Sequence, residues 1–164
     1  MSMCCYVNEL PVKRPQKKVS DSKRTTSDPM FPGYINNSQI IFGGRIMSSI
    51  DKLAYMTAKE HAEQEVVTLS AYILFHKPVY PNYNLVLKSS VNYVGKTSME
   101  VGVRVEAENS ITGDIYHANT AYLTMVAIDQ DKKSVIVPEL VTKTYDEIRR
   151  RKEARQRLKI LKNL

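Results

Sequence analysis

Asp51, Asn36, Gly43 and Gly44 are the residues of this chain whose types and spacing suit chemistry at a carbonyl group. From Gly44 the apolar residues Ile46, Met47, Ile50, Leu53, Ala54, Ala58 and Ala62 recur at three- and four-residue steps, the period of one buried helix face. At about 100° per residue, Asp51 falls roughly 40° from Met47 and between Ala58 and Ala62, whereas Arg45, Lys52 and Lys59 lie on the opposite, solvent side. An acid is therefore expected on the core-facing stripe. Burying a carboxylate is costly unless it is paired, hydrogen-bonded or open to water in a cleft, so the position asks for a use. Gly43 and Gly44 leave the N–H groups of the first turn accessible at the positive end of the helix dipole, which suits a developing oxyanion. Asn36 and Asn37 precede that turn and can cap it, orient a water or donate to a carbonyl. The chemistry this combination suits is thioester or ester hydrolysis.

Such residues need a helix with a scaffold behind it. The helical pattern starts near Phe42 or Gly43 and fades by about His61. Val66 to Phe75 follows, rich in β-branched and aromatic residues and long enough for a strand. Lys77-Pro78 stops or bends it, and Pro81-Asn82 marks a turn before Leu85-Val86-Leu87 and Val91-Asn92-Tyr93-Val94. Gly95-Lys96 turns the chain into Met99, Val101, Val103 and Val105, which alternate with Glu100, Gly102, Arg104 and Glu106, the period of a sheet with one polar face. Thr112-Gly113-Asp114 makes a hairpin turn into the last long strand, Ile115 to Ile128. Thr25 to Phe31 reads as a short first strand, which Asp28 and Pro29 confine to an edge or interrupt. This order predicts an α+β domain over residues 25–140, a curved antiparallel β-sheet wrapped around one long central helix. Residues 1–24 carry lysines, prolines and serines without apolar periodicity and read as an unstructured basic leader. Residues 141–164 read as a basic C-terminal helix or tail with a thin apolar stripe.

The chain has 164 residues, enough for one core. Its formal charge of +7 resembles a nucleic-acid signal until it is divided along the chain: +3 over residues 1–28, −2 over 29–140 and +6 over 141–164. The domain is slightly acidic and only its tails are basic, which makes nucleic acid an unlikely partner of the domain itself. No apolar run approaches the length of a membrane span and no hydrophobic signal segment opens the chain, so a cytoplasmic location is expected. The adjacent Cys4 and Cys5 suit neither an intrachain disulfide framework nor a structural zinc site, though a lipidated leader is one use for them. No nucleophile elbow, phosphate loop or dinucleotide fingerprint is present.

The spacing Asn36-x6-Gly43-Gly44-x6-Asp51, followed by Lys77-Pro78-Val79 and by Tyr93-Val94-Gly95-Lys96-Thr97-Ser98-Met99-Glu100-Val101, resembles the hotdog-fold acyl-CoA thioesterases. The branch it is most similar to holds the bacterial YciA-like enzymes and brain acyl-CoA hydrolase, and the resemblance runs from about Thr25 to Leu140. It implies a single hotdog domain that hydrolyses acyl-CoA to a free acid and CoA, with no cofactor beyond the CoA of the substrate. It implies that Asp51 acts as general base or nucleophile; the residues alone equally allow a carboxylate bonded to nearby backbone. It gives Asn36 the task of holding the water or thioester opposite the acid of a second subunit, where the bare sequence offers a turn or cap residue. The site would then lie at a dimer interface, with a trimer of dimers as the expected assembly, and pairing would also cover an open sheet edge.

Under the same resemblance the N–H of Gly44, with that of Gly43, forms the oxyanion hole, unless the pair serves close packing. Gly95, Lys96, Thr97 and Ser98 would contact CoA phosphates or pantetheine, or be no more than a strand turn, and Lys77 and Arg104 are further substrate-binding candidates. The chain departs from the family pattern at Ile35, where threonine is usual, at Gln39, where glycine is usual, and at Asn82-Tyr83 in place of Gly-Asp. The C-terminal helix either stays solvated or docks near the nucleotide part of CoA or against another subunit. His61, on the apolar helix face, reads as a core histidine, whereas His76 and His117 belong to different strand regions. Two rival readings are a non-catalytic acyl-CoA sensor whose basic tails bind nucleic acid, and a dehydratase-like hotdog. The second normally has a histidine near the acid, and none stands before this helix.

Overall fold

Helix α1 (Gly43–Ala62) buries Ile46, Ile50, Leu53, Ala54, Ala58 and Ala62 against one face of a five-stranded antiparallel sheet. The computed structural model describes residues 14–161. The sheet contains β2 (Arg24–Pro29), β3 (Glu65–Phe75), β4 (Tyr83–Val94), β5 (Ser98–Asn109) and β6 (Ile115–Ile128), in the spatial order β2-β4-β5-β6-β3. Alternation along the strands sends Leu85, Leu87, Met99, Val101, Val103, Val105, Ala121, Leu123 and Met125 into the core with α1. Burial of each large side chain of this kind contributes about 1.5–3 kcal/mol, so the α1 face and the central strands carry most of the stability. This is the helix-wrapping sheet the periodicity predicts. Among the described residues no helix is long and apolar enough to cross a membrane.

Strands β2 and β3 are the sheet edges. Pro29 ends β2, where the missing N–H costs no ladder bond. β3 is the other edge, and Val67, Leu69, Tyr72, Leu74 and Phe75 along it are exposed, Leu69 at 70%. Its pairing with β6 shifts register between Thr68 and Ser70, a bulge that leaves Leu69 outside the ladder.

Two expectations about the ends of the chain need correction. The expected leader is structured from Arg14 onward: β1 (Gln16–Lys18) pairs in parallel with β7 (Glu139–Val141), Val19 is buried, and the Arg14 guanidinium donates to the carbonyls of Gly95 and Val137. A three-residue parallel ladder needs only backbone groups, so it leaves no periodic trace in a polar sequence. Residues 1–13, with Cys4 and Cys5, lie outside the described residues. The C-terminal segment forms α2 (Tyr145–Leu161), and instead of standing in solvent it lies across the sheet face opposite α1, with Ala154 fully buried.

Candidate active site

The loop before α1 is built by Asn36. Its side-chain Oδ1 accepts from the N–H of Ser38 (2.9 Å) and of Ile40 (3.4 Å), and its own N–H donates to the carbonyl of Ile40 (2.8 Å). An isolated bridge between Ile35 and Ile41 closes the loop. Gln39 takes φ 61°, the left-handed backbone that favours glycine, at the position where the family resemblance leads one to expect glycine. With Oδ1 committed to the turn, the Nδ2 donors of Asn36 have no hydrogen-bond partner among the described residues. The turn thus uses one end of the amide and leaves the other end free.

Phe42 is the N-cap of α1 and supplies no side-chain cap. The first hydrogen-bonded amides of the helix are those of Arg45 and Ile46, both to the Phe42 carbonyl, while the N–H groups of Gly43 and Gly44 have no partner among the described residues. A Cβ at Gly43 would meet only the Phe75 ring at 3.5 Å, and one at Gly44 only Phe42 at 3.8 Å, ordinary contacts. Within the chain neither glycine is tightly packed, and their N–H groups are free donors at a helix start. The turn is braced from below. Arg45 donates to both carboxylate oxygens of Asp28 (2.8 and 2.9 Å) and its guanidinium lies 4.8 Å from the Tyr34 ring centroid, so this arginine is half-buried and paired, not on a solvent face as the helical wheel suggested.

Asp51 is placed differently from the expectation. It is exposed, as is its neighbour Met47 at 45%, although Ala58 and Ala62 farther along the same flank are buried. The buried face is centred on Ile46, Ile50, Leu53, Thr57 and His61, and Asp51 stands about a third of a turn away from that centre. The apolar count misplaced the stripe because Met47 joined it without being covered. Asp51 accepts a hydrogen bond from Thr68 Oγ1 (2.8 Å), the residue at which the β3 bulge begins. Sequence reasoning missed Thr68. The signal was a hydroxyl inside the apolar run Val66-Val67-Thr68-Leu69, and only the register of β3 beside α1 shows what it holds. Asp51 therefore lies on an open flank of α1 beside an apolar, unpaired strand edge.

Gly95, Lys96, Thr97 and Ser98 do come together, as the turn between β4 and β5, and they line a cavity of about 730 Å³. Its other wall is the last part of α2, with Arg155, Leu158 and Lys159, and its floor includes Leu69, Ser70 and Thr124. The turn is held by Gly95 N–H to the Ser98 carbonyl (2.8 Å), by the Val137 and Ala127 amides to the carbonyls of Lys96 and Thr97, and by Arg14. Lys77 and Arg104 do not join it. Lys77 is exposed beyond the end of β3, its ammonium 5.6 Å from the Tyr116 ring centroid. Arg104 sits six residues along β5 from Ser98, roughly 20 Å away at strand spacing, paired with Glu106 (2.8 Å).

The histidines divide as well. His61 is fully buried, with Nε2 3.2 Å from the Pro138 carbonyl oxygen, and burial lowers its pKa. His76 and His117, far apart in sequence, meet with ring centroids 4.7 Å apart and both bond Thr120 Oγ1.

Comparison with known proteins shows the family. A family model described as thioesterase superfamily matches residues 38–113. The uncharacterised acyl-CoA thioester hydrolase YkhA of Bacillus subtilis is 40% identical over 144 residues, covering 87% of this chain and 84% of the relative. The acyl-CoA hydrolase of Staphylococcus aureus, solved with butyryl coenzyme A, coenzyme A and coenzyme A disulfide, superposes with TM-score 0.85 at 33% identity over 91% of this chain and 92% of its own. A hexameric acyl-CoA thioesterase superposes with TM-score 0.87 at 33% identity over 91% and 96%. The S. aureus protein has also been solved as alanine variants of an asparagine, of an aspartate fifteen residues further on and of a threonine seventeen beyond that, the spacing that separates Asn36, Asp51 and Thr68 here. By fold and by sequence, the chain belongs to the thioesterase superfamily, among its hotdog-fold acyl-CoA thioester hydrolases.

Proposed function

We propose that this protein hydrolyses acyl-CoA thioesters at a site completed by a second copy of the chain. The observation that carries the reading is the juxtaposition on one open flank of α1: the free N–H groups of Gly43 and Gly44 at its start, and Asp51, held by Thr68, two turns further on. The thioester carbonyl oxygen points at the Gly44 N–H, with that of Gly43 beside it, and Asn36 Nδ2 donates to the water or the thioester. Asp51 either takes a proton from that water or attacks the carbonyl carbon itself. In the first case the hydroxide adds to the carbon, the carbonyl electrons move onto the held oxygen, and their return expels CoA as thiolate. A thiolate leaves readily, so the step needs no metal or redox cofactor. Relatives solved with butyryl-CoA and CoA support the substrate class, and the asparagine, aspartate and threonine spacing supports the residues.

Distance argues for two copies. Gly44 and Asp51 are seven residues apart, about 10 Å along the helix axis and nearly on one line, too far for both to act on one carbonyl. An antiparallel second α1 brings the Gly44 of one copy beside the Asp51 of the other. The same pairing covers Met47, Val67, Leu69 and Phe75, which one chain leaves exposed. The hexameric relatives fit a further association of such dimers, and the cytosolic human acyl coenzyme A hydrolase, 28% identical, fits the expected location.

The test is turnover of a panel of acyl-CoAs with detection of the released thiol. Asp51→Asn is expected to lower kcat by roughly 10²- to 10⁴-fold while CoA still binds, and Thr68→Ala to lower it less. Near-normal turnover in Asp51→Asn, or a fully active monomer by light scattering, would contradict the reading. Single turnover in ¹⁸O-water tests the nucleophilic role of Asp51: label appearing in the protein carboxylate requires a covalent anhydride opened by water at the aspartyl carbon.

A further inference from the structure

Asn119 is a buried amide that the fold leaves without a partner. It continues the inward row of Ala121, Leu123 and Met125 on β6, so it faces α1. It is 0% exposed, and neither its Oδ1 nor its Nδ2 has a hydrogen-bond partner among the described residues. Its neighbours across the sheet are Val105 on β5, with Leu87 beyond it, and Phe75 on β3. An apolar side chain would suit such a row, whereas a buried amide without a partner is a standing cost to the folded state. Other polar groups at this depth are satisfied. Asn92 bonds Glu100 and Ser90 (3.2 and 3.4 Å), and Thr57 pairs with Ser89 at 2.6 Å. Among the described residues Asn119 is the one buried side chain with two unpartnered polar atoms. A break of this kind in an otherwise consistent core points to a group that arrives from outside.

Its position says what arrives. Phe75 and Asn119 are direct cross-strand partners, so their side chains share the inner face of the sheet. The Phe75 ring lies 3.5 Å from the place of a Cβ on Gly43, whose N–H is free. From the start of α1 inward the order is therefore free amides, the Phe75 ring and then Asn119, one strand spacing of roughly 5 Å deeper. The ring is 52% exposed, so it turns about χ1 without opening the core and bares the amide toward the helix start. The β5–β6 ladder is irregular at this point: Val105 pairs with Asn119 and Glu106 with His117, so Ala118 bulges beside the amide. Such bulges re-aim side chains next to functional sites.

We propose that Asn119 is the polar end of the acyl pocket and selects a short acyl group that carries a hydroxyl. An acyl chain whose carbonyl oxygen sits on the Gly44 N–H, with the sulfur and CoA outward, runs inward past Phe75. A hydroxyl on its third or fourth carbon donates to Asn119 Oδ1 and accepts from Nδ2, the two bonds that the amide lacks. Asn119 is thus a specificity-determining residue away from the bond that breaks. The inference rests on the acyl-CoA reading above and names the substrate class within it.

The test compares kcat/KM, from thiol release, for butyryl-CoA, 3-hydroxybutyryl-CoA and 4-hydroxybutyryl-CoA. The wild-type protein is expected to favour one hydroxyacyl substrate over butyryl-CoA by roughly 10-fold or more, because a site built around a hydroxyl rejects the analogue that lacks it. Asn119→Leu brings that ratio to about one or below, and its urea midpoint does not fall, since the variant removes an unpartnered amide. Asn119→Ala gives the same collapse of the ratio should leucine prevent folding. A wild-type protein without the preference, or a ratio that neither variant moves, overturns the proposal. So does a lowered urea midpoint in Asn119→Leu with equal losses on all three substrates, the mark of a structural amide. If the wild-type protein releases thiol from none of the three, the hydrolase reading fails by itself and calorimetric titration decides this one. Binding of a hydroxybutyryl-CoA about 10-fold tighter than butyryl-CoA, lost in Asn119→Leu, supports the polar pocket end. Equal binding of the ligands, or binding of none, overturns it.

Discussion

Two helices lie on the two faces of one sheet, and they are held by different physics. α1 buries nine residues, six of them aliphatic, and contacts β3, β4, β5 and β6. α2 buries one alanine fully and is fixed chiefly through Arg157 on Glu100, aided by Arg150 near Ser90 Oγ (3.5 Å). The first attachment is non-directional and spread over a whole face; the second is directional and concentrated at one carboxylate. The α1 side carries the groups that the proposed chemistry uses, whereas α2 rests on a few polar contacts.

That contrast is easiest to break from the α1 side. Leu53→Ala removes a side chain that is 1% exposed and is expected to cost about 2–5 kcal/mol, read as a lower urea midpoint for the whole domain. Arg157→Ala leaves Glu100 buried without its cation and, because the arginine is partly exposed, is expected to cost less, about 1–3 kcal/mol. The loss should be local: by hydrogen exchange the α2 amides lose protection while those of α1 keep theirs. Equal loss of protection in both helices would show that the two attachments form one cooperative unit.

Two smaller effects sharpen the picture of the α1 side. His61 is buried beside Pro138 and burial lowers its pKa, so between the folded value and the ordinary histidine value of about 6.5 the unfolded chain binds more protons. Stability is therefore expected to be highest above pH ~6.5 and to fall as the pH drops below it, with the slope diminished in His61→Gln. Denaturation midpoints at a series of pH values measure it, and a slope unchanged in the variant would assign the effect to other groups. Gln39→Gly relieves a left-handed backbone in the loop that carries Asn36 and should change stability by less than about 1 kcal/mol in the stabilising direction. A marked destabilisation would mean that the Gln39 side chain anchors the loop.

Local periodicity made most of the architecture legible. The three- and four-residue spacing located α1 within a residue or two, and the alternation from Met99 to Val105 gave both β5 and its core-facing side. Turn residues at Pro81-Asn82 and Thr112-Gly113-Asp114 separated the strands, and Pro29 marked an edge. Position 51 shows the limit of the method. A helical wheel gives the angle of a side chain but not which flank its neighbours cover, so Met47 and Asp51 were assigned to a core that leaves them exposed.

The sequence by itself determined the elements and the chemical groups they carry: one long helix with free amides at its start, an asparagine before it, an acid two turns along it, and a basic helix at the end. Each of these follows from residues a few positions apart, where backbone geometry sets the period. Tertiary structure alone decided that Thr68 holds Asp51 across 17 residues, that Arg157 finds Glu100 across 57, and that Arg14 braces the turn at Gly95 across 81. Those pairings depend on which strand lies beside which helix, and a hydrogen bond between distant residues leaves no period in the chain that forms it.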